Sequence, residues 1–145
     1  MREQLCRKQD IKDYGAEPLV INIEQAAENN NTYRTALWTG EHMQVTLMCI
    51  PAGGDIGPEI HPHTEQFIRI ESGCALAVMG KNKELLNIRQ KISGGCAVIV
   101  PAGTWHNIIN IGKTPLKLYS VYAPVQHPFG TVQETKMAAE LEESR

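Results

Sequence analysis

Gly95-Cys-Ala-Val-Ile-Val-Pro101-Ala-Gly103-Thr-Trp105-His106-Asn-Ile-Ile-Asn110 reads as a strand, a turn and a second strand. Residues 96–100 form an apolar run short enough for a buried strand. Pro101-Ala-Gly103 breaks the run, and apolar residues resume after His106. An earlier stretch completes it: Gly53-Gly-Asp-Ile-Gly57-Pro-Glu59-Ile-His61-Pro-His63-Thr-Glu65-Gln66-Phe-Ile-Arg-Ile-Glu-Ser-Gly73. The chain is organised around these two stretches.

Outward from them the pattern is strand after strand. Residues 33–39 and 44–50 are rich in β-branched, aromatic and apolar side chains and flank the Thr39-Gly40-Glu41 break, which predicts a hairpin. Residues 74–79 predict a strand stopped by Gly80-Lys-Asn82. Residues 85–92 predict its return, and residues 106–111 and 116–122 a further pair split by Gly112-Lys-Thr-Pro115. Many short strands with Gly/Pro turns indicate an all-β sandwich or barrel. Before them, residues 19–23 predict a short strand and residues 24–30 a brief helix ended by the Asn29-Asn-Asn31 turn. After them comes a proline-punctuated segment, residues 123–130. Residues 133–143 follow, with Met137 and Leu141 at helical spacing on an otherwise charged helix, read as a solvated face packed lightly on the barrel.

Both stretches resemble the signature motifs of the cupin superfamily. The second fits G-x5-P-x-G-x2-H-x3-N at every fixed position, through Gly95, Pro101, Gly103, His106 and Asn110. The family's first motif is G-x5-H-x-H-x3-4-E-x6-G. Placing His61 and His63 on its histidine pair puts Asp55 on the opening glycine and breaks every other anchor. Moving the register by two residues restores all spacings, with Gly53, Glu59, His61, Gln66 and Gly73 in the five places and two residue types changed.

The resemblance implies a double-stranded β-helix, the jelly-roll barrel. Its core would run over residues 33–124 of a single domain, 1–145, with an N-terminal arm over 1–32 and a C-terminal tail and helix over 125–145. It also implies a metal set of Glu59, His61, Gln66 and His106. That is two imidazoles, one carboxylate and one amide oxygen, with the family's formal ligand charge retained. Such a mixed N/O set suits one divalent first-row ion (Fe, Mn, Ni, Co or Zn), and Glu59, His61 and His106 alone match the ligand chemistry of non-haem iron oxygenases. Alternate residues of a strand share a face, so Glu59 and His61 would project together. Gln66 would follow on the neighbouring strand with Ile68 and Ile70 as an apolar wall.

His63 stays open between three readings: a ligand in place of Glu59, an acid or base beside the metal, or a turn residue. Glu65 is the second candidate base. Trp105 would stack on a ligand or fill the core. Arg69 alternates away from Gln66 and is read as an outer or interface charge rather than an anion clamp. His127 could approach the barrel mouth but is read first as a surface loop histidine.

A formal charge of −2 without a basic run argues against a nucleic-acid surface. No stretch reaches the length of a membrane span, and the polar start lacks a signal peptide's apolar segment, so the expectation is a cytoplasmic protein. Cys6, Cys49, Cys74 and Cys96 show no C-x-x-C pair and are read as free thiols, the last three as small core residues. Tyr33, Trp38, Phe67 and Tyr119 exceed what a small barrel readily buries. With family analogy, they lead to the expectation of a homodimer. The leading functional reading is a metal-dependent enzyme of isomerase or lyase type on a small sugar-like or hydroxy-carbonyl molecule, with His63 or Glu65 moving the proton. The alternatives are an iron-dependent dioxygenase and a non-catalytic small-molecule binding or sensing module.

Overall fold

The computed structural model describes residues 9–144. Nine strands and two helices follow one another as α1 (Ile23–Asn29), β1 (Arg34–Thr39), β2 (Gln44–Ile50), β3 (Glu65–Ser72), β4 (Cys74–Gly80), β5 (Ile88–Ser93), β6 (Ala97–Val100), β7 (Trp105–Asn110), β8 (Leu116–Ala123), β9 (Val132–Gln133) and α2 (Lys136–Glu143). They form two antiparallel sheets, one of six strands in the order β6-β3-β8-β2-β1-β9 and one of three in the order β5-β4-β7. This is the jelly-roll architecture expected from the sequence.

The strand period decides what each sheet buries. On β2, Met48 and Ile50 join Ile68, Ile70, Leu116 and Leu118 of the large sheet and Ala75, Ala77, Ile92 and Ile108 of the small one in the barrel core. The opposite phase, Val45 and Leu47, packs with Leu37 against Ala26 and Ala27 of α1. Burial on both faces is why β2 reads as nearly continuous apolar sequence.

Residues 19–23 form no strand. Asn22 caps α1 instead, its Oδ1 accepting the Gln25 N–H at 3.0 Å, while Ile21 and Ile23 pack on the α1 side of the sheet. The arm lies on its own barrel: the Tyr14 N–H donates to the Leu37 carbonyl at 2.9 Å and Trp38 Nε1 to the Glu17 carbonyl at 2.7 Å. Tyr33 is buried in the barrel, and Trp38 and Tyr119 pack beside α1, so much of this aromatic surface is covered within the chain. Cys49, Cys74 and Cys96 are free thiols. None is a fully buried core residue, and Cys74 is exposed because Ala75 and Ala77 take the inward phase of β4. Cys6 lies outside the described residues. No helix among the described residues is long and apolar enough to cross a membrane.

Two motif positions have clear structural work. Gly73 turns β3 into β4 at φ +101°, and a Cβ there would stand 3.2 Å from Leu116 Cα. Asn110, 2% exposed, donates from Nδ2 to the carbonyls of Ile50 and Thr114 and accepts the Gly112 N–H, each at 2.9 Å. One side chain thus ties the ends of β7 and β2 to the turn before β8.

Candidate metal centre

Glu59 and His61 lie on an irregular segment beside β7. Glu59 and His106 exchange both backbone hydrogen bonds at 3.0 Å, as an isolated antiparallel pair, so their side chains leave the backbone on one side. The Gly103 N–H donates to the His61 carbonyl at 2.9 Å, fixing the Pro101–Gly103 turn against the same segment. Glu59 Oε1 then sits 3.2 Å from His106 Nε2 and 3.4 Å from His61 Nε2, with the two imidazole centroids 5.3 Å apart. The potential ligand atoms of Glu59, His61 and His106 all fall within 4.8 Å of one another.

Protonation states follow from the partners. His106 Nδ1 lies 3.0 Å from the Thr104 carbonyl, which can only accept, so Nδ1 carries the proton. In the neutral ring Nε2 is then a lone pair aimed at a carboxylate oxygen. Burial alone would push the Glu59 carboxyl up. Where a proton occupies a histidine Nε2 beside it, the hydrogen bonds and attraction of His106 and His61 outweigh burial and hold the carboxyl well below its ordinary range. Neutral rings instead leave lone pairs facing it. Two electron pairs facing each other call for a cation between them, and carbonyl-fixed Nδ1–H is how proteins orient a metal-binding histidine. Gln66, 1% exposed, donates from Nε2 to Ser120 Oγ at 3.1 Å and leaves Oε1 buried without a partner. The donor set therefore fits a divalent ion.

His63 and Glu65 are exposed, and neither lines the cavity at this cluster. The strand period explains Glu65: with Gln66 inward, its neighbour points out. His63 belongs to the turn that precedes β3. Ile68 and Ile70 are fully buried in the barrel core. Trp105 alternates away from His106, and Lys83 Nζ stands 5.7 Å from its ring centroid. Arg69 is an outer charge, its Nε 3.1 Å from Glu71 Oε1.

Sequence reasoning ranked His127 first as a surface loop histidine, whereas it borders the cavity at the cluster. The backbone N–H of His127 donates to Gln44 Oε1, and its carbonyl accepts from Gln44 Nε2, both at 2.9 Å, so the fully buried Gln44 pins the tail segment over the barrel. The ring meets Tyr122 edge-on at 5.3 Å, and Tyr122 meets His61 at 5.8 Å. Burial pushes His127 down to about 3, helped by the Arg34 charge, so it is neutral at physiological pH, with Nε2 unpartnered. Only the proline punctuation around His127 hinted at a fixed course for this segment.

A cavity of about 380 Å³ opens onto the cluster, walled by Glu59, His61, His127, Gln133, Glu142 and Glu143. Helix α2 is therefore more than a lightly packed solvated face. Thr135 caps it, Lys136 pairs with Asp55, Ala139 is buried, and Glu142 accepts from Gln133 Nε2 at 2.9 Å. A larger open groove of about 640 Å³ beside Leu85, Ile88 and Ile99 holds no histidine or carboxylate. The candidate metal ligands Glu59 and His61 border the smaller cavity.

Known proteins place this geometry. The chain is 60% identical over 129 residues to the uncharacterized protein YrkC of Bacillus subtilis (strain 168), covering 89% of this chain and 69% of that one. It is 42% identical over 114 residues to the uncharacterized protein L612 of Acanthamoeba polyphaga mimivirus, covering 78% and 69%. The crystal structure of BH2720 from Bacillus halodurans superposes with a TM-score of 0.90 at 52% identity, over 90% of this chain and 99% of that one. With a cupin-domain family model matching residues 46–122, more than half of its length, the chain belongs to the cupin family.

Proposed function

We propose that the protein binds one divalent first-row transition metal through Glu59, His61 and His106, with the Gln66 amide oxygen as a fourth ligand. We further propose that it is a metal-dependent enzyme of isomerase or lyase type acting on a small hydroxy-carbonyl molecule. The observation that carries the metal reading is the His106 tautomer. Its Nδ1–H is committed to Thr104, so in the neutral ring Nε2 faces Glu59 as a lone pair.

When bound, the metal would act as a Lewis acid toward a carbonyl or hydroxyl oxygen. His127, rather than the exposed His63 and Glu65, borders the cavity as a neutral imidazole, and its depressed pKa suits it to hydrogen-bonding a substrate more than to holding a proton. Gln44 holds its backbone, and Tyr122 fixes the ring edge-on. Pro128 and the α2 residues Glu142 and Glu143 border the cavity on the side of His127. The two-histidine, one-carboxylate set also favours a second reading, an iron-dependent dioxygenase, which a requirement for oxygen would separate from the first. The homodimer remains a proposal that sedimentation tests.

The deciding experiment is metal content by inductively coupled plasma mass spectrometry on untagged protein and on Glu59→Ala, His63→Ala and His106→Ala. Stoichiometric metal that is lost in Glu59→Ala and His106→Ala but retained in His63→Ala supports the reading. Metal that depends on His63 refutes the ligand set. No metal after reloading leaves the binding module.

A further inference from the structure

Arg34 opens β1 opposite Met48, on the inner face of the large sheet, and is 2% exposed. Its guanidinium offers five N–H donors, and its partners are few and neutral. Nη1 donates to Gln133 Oε1 at 2.6 Å, and Nη2 faces the Met48 sulfur at 3.9 Å. Nε is buried without a partner, and Cζ lies 5.3 Å from the Tyr33 ring centroid. Among the described residues no carboxylate comes within ion-pair distance of it. A group that stays charged is costly to remove from water, and an amide and a thioether are weak compensation.

One side chain links this charge to the cavity wall. Gln133 accepts from Arg34 with its oxygen, donates from its nitrogen to Glu142 at the rim, and itself lines the cavity. Tyr122, Glu59 and His127 all lie close enough to feel the guanidinium. Arg34 Nε, Gln66 Oε1 and His127 Nε2 are each buried without a hydrogen-bond partner.

We infer, on the reading of this cavity as a metal site, that its small-molecule ligand carries a carboxylate, which Arg34 receives as Gln133 gives up its place. A planar guanidinium fork matches a carboxylate in two parallel hydrogen bonds. A phosphate dianion fits less well, because Arg34 is alone and Glu59, Glu142 and Glu143 already make the walls negative. An uncharged sugar would leave the buried charge as poorly paired as before.

The test uses the full-length protein loaded with metal, with malonate and glycolate as probes against hydroxyacetone, glycerol and inorganic phosphate. Affinity is read by calorimetry, and the Arg34 Nε–H resonance by NMR. Carboxylates are expected to bind about tenfold or more tighter than their neutral counterparts, the advantage of a charge-assisted hydrogen bond, and to shift the Arg34 resonance. Arg34→Met is expected to lose that preference while keeping its metal. If Arg34→Met does not fold, Gln133→Ala, which uncovers the guanidinium, is expected to tighten carboxylate binding. Equal affinity for neutral probes, preference for phosphate, an unmoved Arg34 resonance in a carboxylate complex, or no change in Gln133→Ala would each overturn the inference. Protein that takes up no metal yet still shifts Arg34 with malonate would refute the metal reading and leave the carboxylate site standing. Metal uptake without carboxylate preference would do the reverse.

Discussion

Replacing Asn110 tests whether the last position of the second motif is structural. Its amide satisfies two carbonyls and one N–H at 2.9 Å while 2% exposed. Asn110→Ala strands all three groups at the junction of β7, β2 and the turn before β8. A buried unsatisfied group costs about 1–3 kcal/mol. Taking the low end for each, because the turn can relax toward water, gives a loss of about 3 kcal/mol. For a chain of 145 residues this is a fall in Tm of about 10 °C. Asn110→Asp keeps the shape and the Gly112 contact but points a carboxylate at two carbonyls, so its loss at neutral pH should be at least as large. The introduced carboxyl would titrate above its unfolded value, so part of its loss should be regained as pH falls, measured relative to Asn110→Ala. Calorimetric unfolding beside metal analysis is the assay, with metal stoichiometry in the cold unchanged because Asn110 does not line the cavity. A loss below about 1 kcal/mol in both variants would show that these bonds exchange freely with water and that the reasoning fails.

Other perturbations separate the remaining contributions. In metal-free protein the depressed His127, at about 3 against an ordinary 6.5, leaves the unfolded chain binding more protons between those values. Stability should therefore be full above about pH 6.5 and fall on acidification by at most about 1.4 kcal/mol per pH unit. Urea midpoints of His127→Asn should show a flatter slope between about pH 6.5 and 5, while depressed Glu59 adds slope of the same sign only below its ordinary 4.5. Metal at a hundredfold excess over Kd should raise stability by about 2.7 kcal/mol, or Tm by about 8–10 °C, a gain that a chelator and Glu59→Gln should each abolish. Gly73→Ala, forced to φ +101° with its Cβ against Leu116, should cost about 2 kcal/mol in chemical denaturation and leave metal binding intact.

What could be read from sequence followed the range of the physics involved. Strand alternation and turn chemistry are local, so the succession of the longer strands and both motif turns were legible, though not the order of strands in the sheets, and the spacing between glycines was enough to prefer Glu59 over His63. The structure puts Glu59, with His61, beside His106 and leaves His63 in solvent. Asn22 was misread because Ile21 and Ile23 alternate like a strand while the Asn22 side chain starts a helix. His127 borders the cavity and Arg34 bonds its wall residue Gln133 from opposite ends of the barrel sequence, and no local rule joins them. Arg34 did leave a trace: with Ala36 buried in β1, the residue two before it shares the inward phase. The apolar character of the run concealed this.

The inner face of the large sheet divides along its strands. In register, Gln66, Tyr122 and Gln44 form one row, Ile68, Ser120 and Thr46 the next, and Ile70, Leu118 and Met48 the third. The first row is polar and lies under His127, whereas the third is apolar except where Arg34 joins it. Stability and chemistry should therefore separate along the strand. Ile70→Val removes one methylene from a fully buried site, which should cost about 1 kcal/mol and leave metal stoichiometry unchanged. Gln66→Leu, four residues earlier on the same face, exchanges an amide whose oxygen is unpaired for an apolar side chain of similar size. It forfeits the Ser120 bond but removes the stranded oxygen, so its stability should stay within about 1 kcal/mol of the parent while metal affinity falls. If Ile70→Val weakened metal binding as much as Gln66→Leu did, the two ends of the barrel would be one coupled unit and the division would be wrong.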